Sequence, residues 1–156
     1  MNISEADASD LPSIFEIEIC STLDGWSKRN IADSYNCGNL FYKLVKAECL
    51  IGYCILSLME NYVEILNLTI AKKSQNRGLG YYFLSELFKQ QRFISVSRVW
   101  LEVRESNHVA LALYKKIGFA KTGIRKNYYK NGNKLEDAVL MQLKITQEER
   151  RPTISC

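Results

Sequence analysis

The amino-acid sequence predicts a single α/β domain. Its 156 residues fit one domain, since single domains commonly contain about 100 to 200 residues and can bury one core. Three apolar runs between residues 39 and 70 are separated by short polar breaks, a pattern that indicates a strand meander with tight turns. Two later stretches place apolar residues at helical spacing and alternate with further strand-like runs. Apolar residues make up 47% and charged residues 24% of the chain, which favours a folded globular protein over a disordered or fibrous one.

The first half of the chain is predicted to contain two helices followed by the meander. Asp10 precedes an apolar run, and Pro12 falls in the first turn, where its missing N–H costs nothing, so a helix is predicted over 10–20. A shorter helix is predicted over 27–35. The three strands of the meander are predicted at 39–46, 49–59 and 62–70.

The second half alternates helices and strands. After the stretch SQNRGLGYYF begins, apolar residues recur at helical spacing: Leu79, Phe83, Leu84, Leu87 and Phe88. The stretch RVWLEVR is predicted to be a strand, and the helix after it is predicted to be capped by Ser106 and ended by Gly118. Two further strands, around 119–129 and 137–145, flank the turn signal KNGNK. The polar segment 147–156 is expected to be a flexible tail.

Gly78 and Gly80 lie in QNRGLG, between a predicted strand and a predicted helix. The chain lacks the GxxxxGK[ST] pattern of a P-loop here, and Phe83 replaces the third glycine of the dinucleotide-binding GxGxxG pattern. Glycines at this place would let backbone N–H groups at the helix N-terminus approach a pyrophosphate without Cβ atoms in the way, with Arg77 adding positive charge. A strand-to-helix turn that needs glycines for steric reasons is the alternative, and the residues alone leave both open.

Four stretches occur in an order and spacing typical of one enzyme family: QNRGLG, WLEVRESNHVALALYKKIGF, IRKNYY and EDAVLM. With LNLTI leading into the first of them, the sequence from about residue 62 to 145 resembles the GCN5-related N-acetyltransferase (GNAT) superfamily. It resembles more narrowly the RimI type, the bacterial ribosomal-protein-alanine N-acetyltransferases. In the superfamily, the Q/R-x-x-G-x-G/A loop holds the pyrophosphate of acetyl-CoA. The first sixty residues match loosely, through DLP near the start and Trp26.

The resemblance implies the finer features of the fold and a function. It implies a GNAT-type domain over 1–146, with a mixed, mostly antiparallel twisted sheet, splayed at the acetyl-CoA site, and helices on both faces. It implies transfer of an acetyl group from acetyl-CoA to the N-terminal α-amine of a protein, in particular the N-terminal alanine of a small-subunit ribosomal protein. The alternatives are acetylation of a small amine or a lysine side chain, and a non-catalytic acyl-CoA-binding module.

Two residues match the catalytic pair of the family. Glu102, in the strand RVWLEVR, matches the glutamate that acts as general base, whereas a strand glutamate ordinarily faces solvent. Tyr114, on the inward face of the next predicted helix, matches the tyrosine that protonates the coenzyme A sulfur, whereas an aromatic residue there ordinarily belongs to the core. Their occurrence together inside the longer match favours the catalytic interpretation. The residues that match acetyl-CoA contacts of the family are Leu68, Thr69, Ile70, Gln75, Asn76, Arg77, Gly78, Leu79, Gly80, Tyr81 and Asn107.

Composition argues against several other kinds of site. The five cysteines, an odd number without a CxxC pair, support neither a disulfide framework nor a zinc cluster, and with His108 as the one histidine no metal site is predicted. The net charge of +4 is mild and IRKNYYK lacks the signature of a nucleic-acid-binding fold, so no nucleic-acid partner is expected. The N-terminal segment lacks a secretory-signal pattern and no apolar run reaches the ~18 residues of a membrane span, so a cytoplasmic location without membrane contact is expected.

Overall fold

The chain forms one open, seven-stranded sheet with four α-helices in the computed structural model, which describes residues 1–22 and 25–145. The elements are β1 Asn2–Glu5, α1 Leu11–Ser21, α2 Lys28–Asn36, β2 Leu40–Lys46, β3 Cys49–Leu58, β4 Tyr62–Ile70, α3 Leu79–Leu87, β5 Arg98–Arg104, α4 His108–Ile117, β6 Ala120–Asn131 and β7 Lys134–Lys144. The strand order is β1-β2-β3-β4-β5-β7-β6, with β4 and β5 parallel and the other neighbouring pairs antiparallel. The predicted fold class is confirmed, while the predicted tail 147–156 lies outside the described residues.

All the helices and strands that the sequence predicts are present, but β1 is an addition. It pairs with β2 through Asn2↔Val45 to Glu5↔Tyr42. Its sequence NISE contains a single apolar residue, Ile3, so it has neither the alternation of apolar and polar residues nor the apolar run that predicts a strand. An edge strand buries little, and its pairing depends on a partner some forty residues away.

The cap of α4 also differs from the prediction. The Asn107 side chain, and not that of Ser106, accepts the hydrogen bond from the Ala110 N–H at 3.1 Å. The Ser106 N–H instead donates to Glu136 Oε1 on β7 at 2.7 Å. A contact with a distant strand therefore decides which of two good capping residues caps the helix.

Two cores lie on opposite faces of the sheet, because strand side chains alternate. On β3, Cys54 and Leu56 enter the core covered by α3 and α4, while Tyr53 and Ile55 enter the core beneath α1 and α2. The prediction of helices on both faces is therefore confirmed. None of the helices in the described ranges is both long and apolar enough to cross a membrane.

The sheet splits in its middle. The parallel pairing of β4 with β5 ends at Ile65↔Leu101, although β4 continues to Ile70 and β5 to Arg104. On the other side of β4, the register with β3 shifts at the same level, so that Leu66 is an extra residue in the ladder. Such a bulge bends a strand locally, and here it turns the end of β4 away from β5. The resulting gap positions the candidate site.

Candidate active site

A cleft of ≈ 540 Å³ opens where β4 and β5 separate. Its walls come from the end of α1 and the connection to α2, the diverging strand ends, the start of α4, and the hairpin of β6 and β7. Four of the residues predicted from the sequence, Leu68, Glu102, Asn107 and Tyr114, line this one cleft. The other lining residues are Glu18, Ser21, Thr22, Gly25, Trp26, Ile65, Leu66, Asn67, Val103, Arg104, Ser106, Ala110, Tyr129 and Glu136.

The glycine loop presents the N-terminus of α3. Gly78 is left-handed, with φ +73°, and directly precedes the helix. The first helical hydrogen bond runs from Tyr82 N–H to Gly78 C=O at 3.0 Å, so the amides before it have no partner inside the helix. A Cβ at Gly78 would meet no atom within 4 Å, so its Cα faces open space. These amides, at the positive end of the helix, form a site suited to an anion.

Gly80 has a different reason to be a glycine. Its backbone is not left-handed, but a Cβ there would lie 3.0 Å from Leu113 Cδ2 on α4. The glycine therefore allows α3 to approach α4 closely. The two glycines of the loop therefore have different roles. Gly78 leaves the backbone amides open to an anion, and Gly80 is needed for close packing of α3 on α4.

The remaining loop residues hold the loop shape and add charge. The Gln75 side chain donates from Nε2 to the Ile70 carbonyl at 2.9 Å, which closes the loop onto the end of β4. Asn76 is left-handed, with φ +59°. Arg77 is exposed, and the Lys116 ammonium lies 5.0 Å from the centre of the Tyr81 ring. Leu79 is half-buried against the core.

The end of β4 offers an unpaired backbone edge. Leu68, Thr69 and Ile70 pair on one side with β3. On the other side, β4 has no strand partner beyond Ile65 among the described residues, because β5 has turned away. An extended ligand can add to such an edge through main-chain hydrogen bonds, as another strand would.

Glu102 lies on β5 just beyond the last residue paired with β4, and its side chain is 19% exposed. The guanidinium of Arg125, on β6, spans both carboxylate oxygens, with Nη2–Oε1 at 3.0 Å and Nη1–Oε2 at 3.4 Å. Arg125 also lies over the Tyr128 ring, 4.6 Å from its centre. Glu102 is therefore not an ordinary solvent-facing glutamate, because it lines the cleft and is held by a cation.

Tyr114 belongs to the core and to the cleft at once. Its side chain is buried, with 7% exposure, and its ring packs on Phe119 with centroids 5.5 Å apart. Burial, with smaller contributions from Cys54 and Tyr129, raises the pKa of the Tyr114 hydroxyl well above its usual range. Within the described residues, the hydroxyl forms no hydrogen bond. It is thus a protonated donor at neutral pH without a competing partner.

Asn107 lines the cleft, but its side-chain oxygen serves as the cap of α4. Asn107 is therefore the N-cap residue of α4. The side-chain nitrogen of Asn107 is not used by this cap and is the part that could meet a ligand.

Several residues that line the cleft were not predicted as site residues from the sequence. Arg104 pairs with Glu136 (3.4 Å) and lies over the Tyr129 ring, 4.4 Å from its centre. Hydrogen bonds from Ser106, and then Arg104, lower the pKa of Glu136. Burial, and then the Glu102 charge, raises the pKa of Tyr129 to about 12. The interleaved charges and aromatics of IRKNYY were the available signal for this wall.

Glu18 was also missed. It is buried near the end of α1, and four donor groups on β3, β4 and the α1–α2 connection lie within hydrogen-bond distance of its carboxylate. In sequence it is one of two glutamates in a short helix, and nothing local distinguishes it from Glu16. Among residues 1–22 and 25–145, no cluster of three or more His, Cys, Asp and Glu side chains is arranged to hold a metal ion.

A split sheet, a glycine loop that opens a helix, and a carboxylate and a phenol in one cleft together define a class of protein. The model of the acetyltransferase (GNAT) family matches residues 11–119. The chain belongs to this family, and the resemblance found in the sequence is confirmed.

Named relatives extend the match over most of the chain. It is 31% identical over 144 residues to the ribosomal protein bS18-alanine N-acetyltransferase of Escherichia coli strain K12, covering 92% of this chain and 97% of that protein. It is 36% identical over 140 residues to the protein of the same name from Haemophilus influenzae, covering 89% and 95%. The crystal structure of the Escherichia coli enzyme has a TM-score of 0.86 to this chain, at 31% identity, covering 93% and 94%.

The fold is also shared with more distant acetyltransferases. A GNAT family acetyltransferase from Elizabethkingia anophelis, solved with acetyl-CoA bound, has a TM-score of 0.75 at 24% identity and covers 92% of this chain. At this identity the likeness concerns the fold alone.

Proposed function

We propose that this chain transfers the acetyl group of acetyl-CoA to the N-terminal α-amine of a protein, specifically the N-terminal alanine of a small-subunit ribosomal protein. The observation that carries the proposal is the placement of Glu102 and Tyr114 in one cleft, beside the unpaired edge of β4. Support for the acceptor comes from the relatives, which carry that activity in their names and share 31% to 36% identity over about nine-tenths of the chain.

The acetyl-CoA site in this proposal runs from the glycine loop to the end of β4. The amides that follow Gly78, with Arg77 beside them, would bind the pyrophosphate. The backbone edge of Leu68 to Ile70 would pair with the pantetheine arm and leave an N–H near the thioester oxygen. Gln75 contributes by holding the loop against β4. Asn107 would contribute its side-chain nitrogen.

The chemistry in this proposal is a direct transfer. An N-terminal amine has a pKa of about 7.7 to 8.0, so it arrives mostly as an ammonium and gives one proton to Glu102, directly or through water. The neutral nitrogen attacks the thioester carbon, a carbon–nitrogen bond forms, and the carbon–sulfur bond then breaks. Tyr114 gives its proton to the departing sulfur, and the proton lost from the nitrogen as the amide forms restores the phenol. The products are the acetylated N-terminus, coenzyme A and one proton.

Arg125 has a supporting role in this proposal. By contacting both oxygens of Glu102, it fixes the rotamer of a side chain that would otherwise be free to turn. Each oxygen still has a lone pair that the guanidinium does not use. Arg125 thus orients the Glu102 carboxylate and leaves a lone pair on each oxygen that can accept the proton of the amine.

The test uses purified protein, acetyl-CoA and two matched peptides, with mass mapping of the acetylated nitrogen. One peptide begins with a free alanine amine and contains an internal lysine, and the other has the same sequence with a formylated N-terminus. Acetylation of the α-amine of the first peptide, and no reaction of the second, is expected. Acetylation of lysine in both would establish the lysine alternative. Binding of acetyl-CoA without any transfer would establish the non-catalytic alternative. A cytoplasmic location, a domain over 1–146 and the absence of a nucleic-acid or membrane partner remain predictions.

A further inference from the structure

The carboxylate of Glu18 has an unusual environment for a charged group. It lies near the end of α1 with 1% exposure. Oε1 accepts from Trp26 N–H (2.8 Å) and Asn67 Nδ2 (3.1 Å), and Oε2 accepts from the Tyr53 hydroxyl (2.5 Å). The Thr69 hydroxyl lies 3.0 Å from Oε2 and 3.0 Å from Asn67 Oδ1, and its single proton can be donated to one of the two. Neutral donor groups therefore surround both oxygens of the carboxylate.

These hydrogen bonds join the two walls of the cleft. Asn67 and Thr69 belong to the end of β4, whose free edge we assign to acetyl-CoA. Trp26 belongs to the α1–α2 connection, which forms the opposite wall. A Cβ at Gly25 would lie 2.0 Å from Thr22 Oγ1 and 2.7 Å from Glu18 Oε1, so the chain passes close to both side chains. Glu18 thus sets the distance between the wall that faces the thioester and the wall that faces the acceptor.

The charge of Glu18 is not balanced by a cation. The other two glutamates of the cleft are paired, Glu102 with Arg125 and Glu136 with Arg104. All four donors to Glu18 are neutral groups, and among the described residues it has no salt bridge. Among the described glutamates that line this cleft, Glu18 is therefore the one whose charge is not offset by an arginine.

Burying a carboxylate without a counter-ion is costly unless its oxygens are hydrogen-bonded. A glutamine would not satisfy the same partners, because its amide group would face the buried Tyr53 hydroxyl, whose proton would lose its acceptor. The neutral donors thus account for a carboxylate at this position, while no salt bridge among the described residues offsets its charge.

We infer that Glu18 is a positioning residue for the acceptor, whose fixed negative charge favours the binding of an N-terminal ammonium in the cleft. This inference rests on the proposed function. Glu18 does not contact the ammonium, because it is buried and its oxygens face the donors described above, and it acts through its electric field and through Trp26. The cationic acceptor supplies a positive charge opposite that of Glu18.

The experiment compares two peptides that differ by one charge. The first begins with alanine, and the second replaces that alanine by a propionyl group, which has the same carbon skeleton without the amine. Binding of each is measured by calorimetry in the presence of coenzyme A at about pH 6, where the amine is protonated. The proteins are the parent, Glu18→Gln and Glu16→Gln. Glu16 is the matched control, because it lies on the same helix, is exposed, and loses the same charge on substitution.

The parent is expected to bind the alanine peptide about tenfold more tightly than the propionyl peptide, the order expected for a unit charge about 12 Å away at an effective dielectric near 20. Glu18→Gln should lose most of that preference, with unchanged affinity for the propionyl peptide, and Glu16→Gln should keep it. The preference of the parent can be measured even if Glu18→Gln fails to fold.

Three results would overturn the inference. The first is a parent without a preference between the peptides. The second is a Glu18→Gln protein that keeps the preference. The third is an equal loss of affinity for both peptides, which would reduce Glu18 to a support of the wall. Failure of the proposed function is separate, because it appears as an absence of α-amine acetylation by the parent in the peptide assay, and it would remove the inference with it.

Discussion

Replacement of Glu102 by glutamine tests the general base with little disturbance of the site. Glutamine has the shape of glutamate, and its oxygen can still accept one hydrogen bond from Arg125. The ion pair that is lost is partly exposed, with the Arg125 side chain 51% and the Glu102 side chain 19% exposed. Exposed pairs contribute about 0 to 1 kcal/mol to stability. The free energy of unfolding should therefore change by less than about 1 kcal/mol.

The effect on turnover should be much larger than the effect on stability. Removal of a general base commonly lowers the rate by about 10²- to 10⁴-fold. Part of that loss should return at high pH, because the amine then needs no base. With an amine pKa near 7.85, about 12% of the acceptor is neutral at pH 7 and about 93% at pH 9. The rate of Glu102→Gln at subsaturating peptide should thus rise about 7.5-fold over this interval.

The assay measures initial rates of acetylation of an alanine peptide for the parent, Glu102→Gln and Arg125→Gln, with acetyl-CoA affinity measured by titration. Arg125→Gln is the matched variant, since it breaks the same ion pair and leaves the carboxylate. It should lose activity by a smaller factor than Glu102→Gln does. Equal rates for the parent and Glu102→Gln at neutral pH would refute the assignment of the base. A rate for Glu102→Gln that does not rise with pH would refute the reasoning about the amine.

Three other predictions follow from the geometry. Tyr114→Phe keeps the packing on Phe119 and removes the hydroxyl, so single-turnover rates should fall by up to about 10²-fold with acetyl-CoA affinity unchanged; unchanged rates would show that Tyr114 only packs. Gly78→Ala places a Cβ on a left-handed residue at a cost of about 1 kcal/mol and should weaken acetyl-CoA binding, measured by calorimetry. Gly80→Ala should mainly lower the melting temperature, because its Cβ would press on Leu113. Equal effects of the two variants on acetyl-CoA binding would contradict the different roles assigned to the two glycines. The pKa of Glu136 is lowered in the folded protein, so the ionised side chain stabilises the fold fully above its ordinary pKa of 4.5, and this stabilisation is lost as the pH falls through the lowered pKa. Glu136→Gln should therefore flatten the dependence of melting temperature on pH below about 4.5. A curve for the variant that runs parallel to that of the parent would contradict this prediction.

Local patterns in the sequence account for the features that were predicted well. The strand, glycine loop and helix around Gly78 follow one another without a gap, and Glu102 and Tyr114 lie twelve residues apart on a strand and the next helix. Their positions in the cleft therefore depend on short stretches whose periodicity is visible in the sequence.

Features that depend on distant residues were not predictable in this way. Arg125 reaches Glu102 only through the register of β6 on β7 and of β7 on β5. The donors to Glu18 include Tyr53, 35 residues away, and Thr69, 51 residues away. The strand β1 exists because β2 offers it an edge. In each case the tertiary structure, and not the residue type, decides the partner.

The hydrogen bonds of the three cleft glutamates assign them different roles. A carboxylate has about four lone-pair sites, and a general base must have one free for the incoming proton. Glu18 is buried, and both of its oxygens already accept from neutral donors. Glu136 is engaged by Ser106 and Arg104, which lower its pKa and so make it a weaker proton acceptor. Glu102 has one guanidinium contact on each oxygen, which leaves a site on each for a proton. Of the three, Glu102 is therefore the carboxylate best placed to accept the proton of the amine.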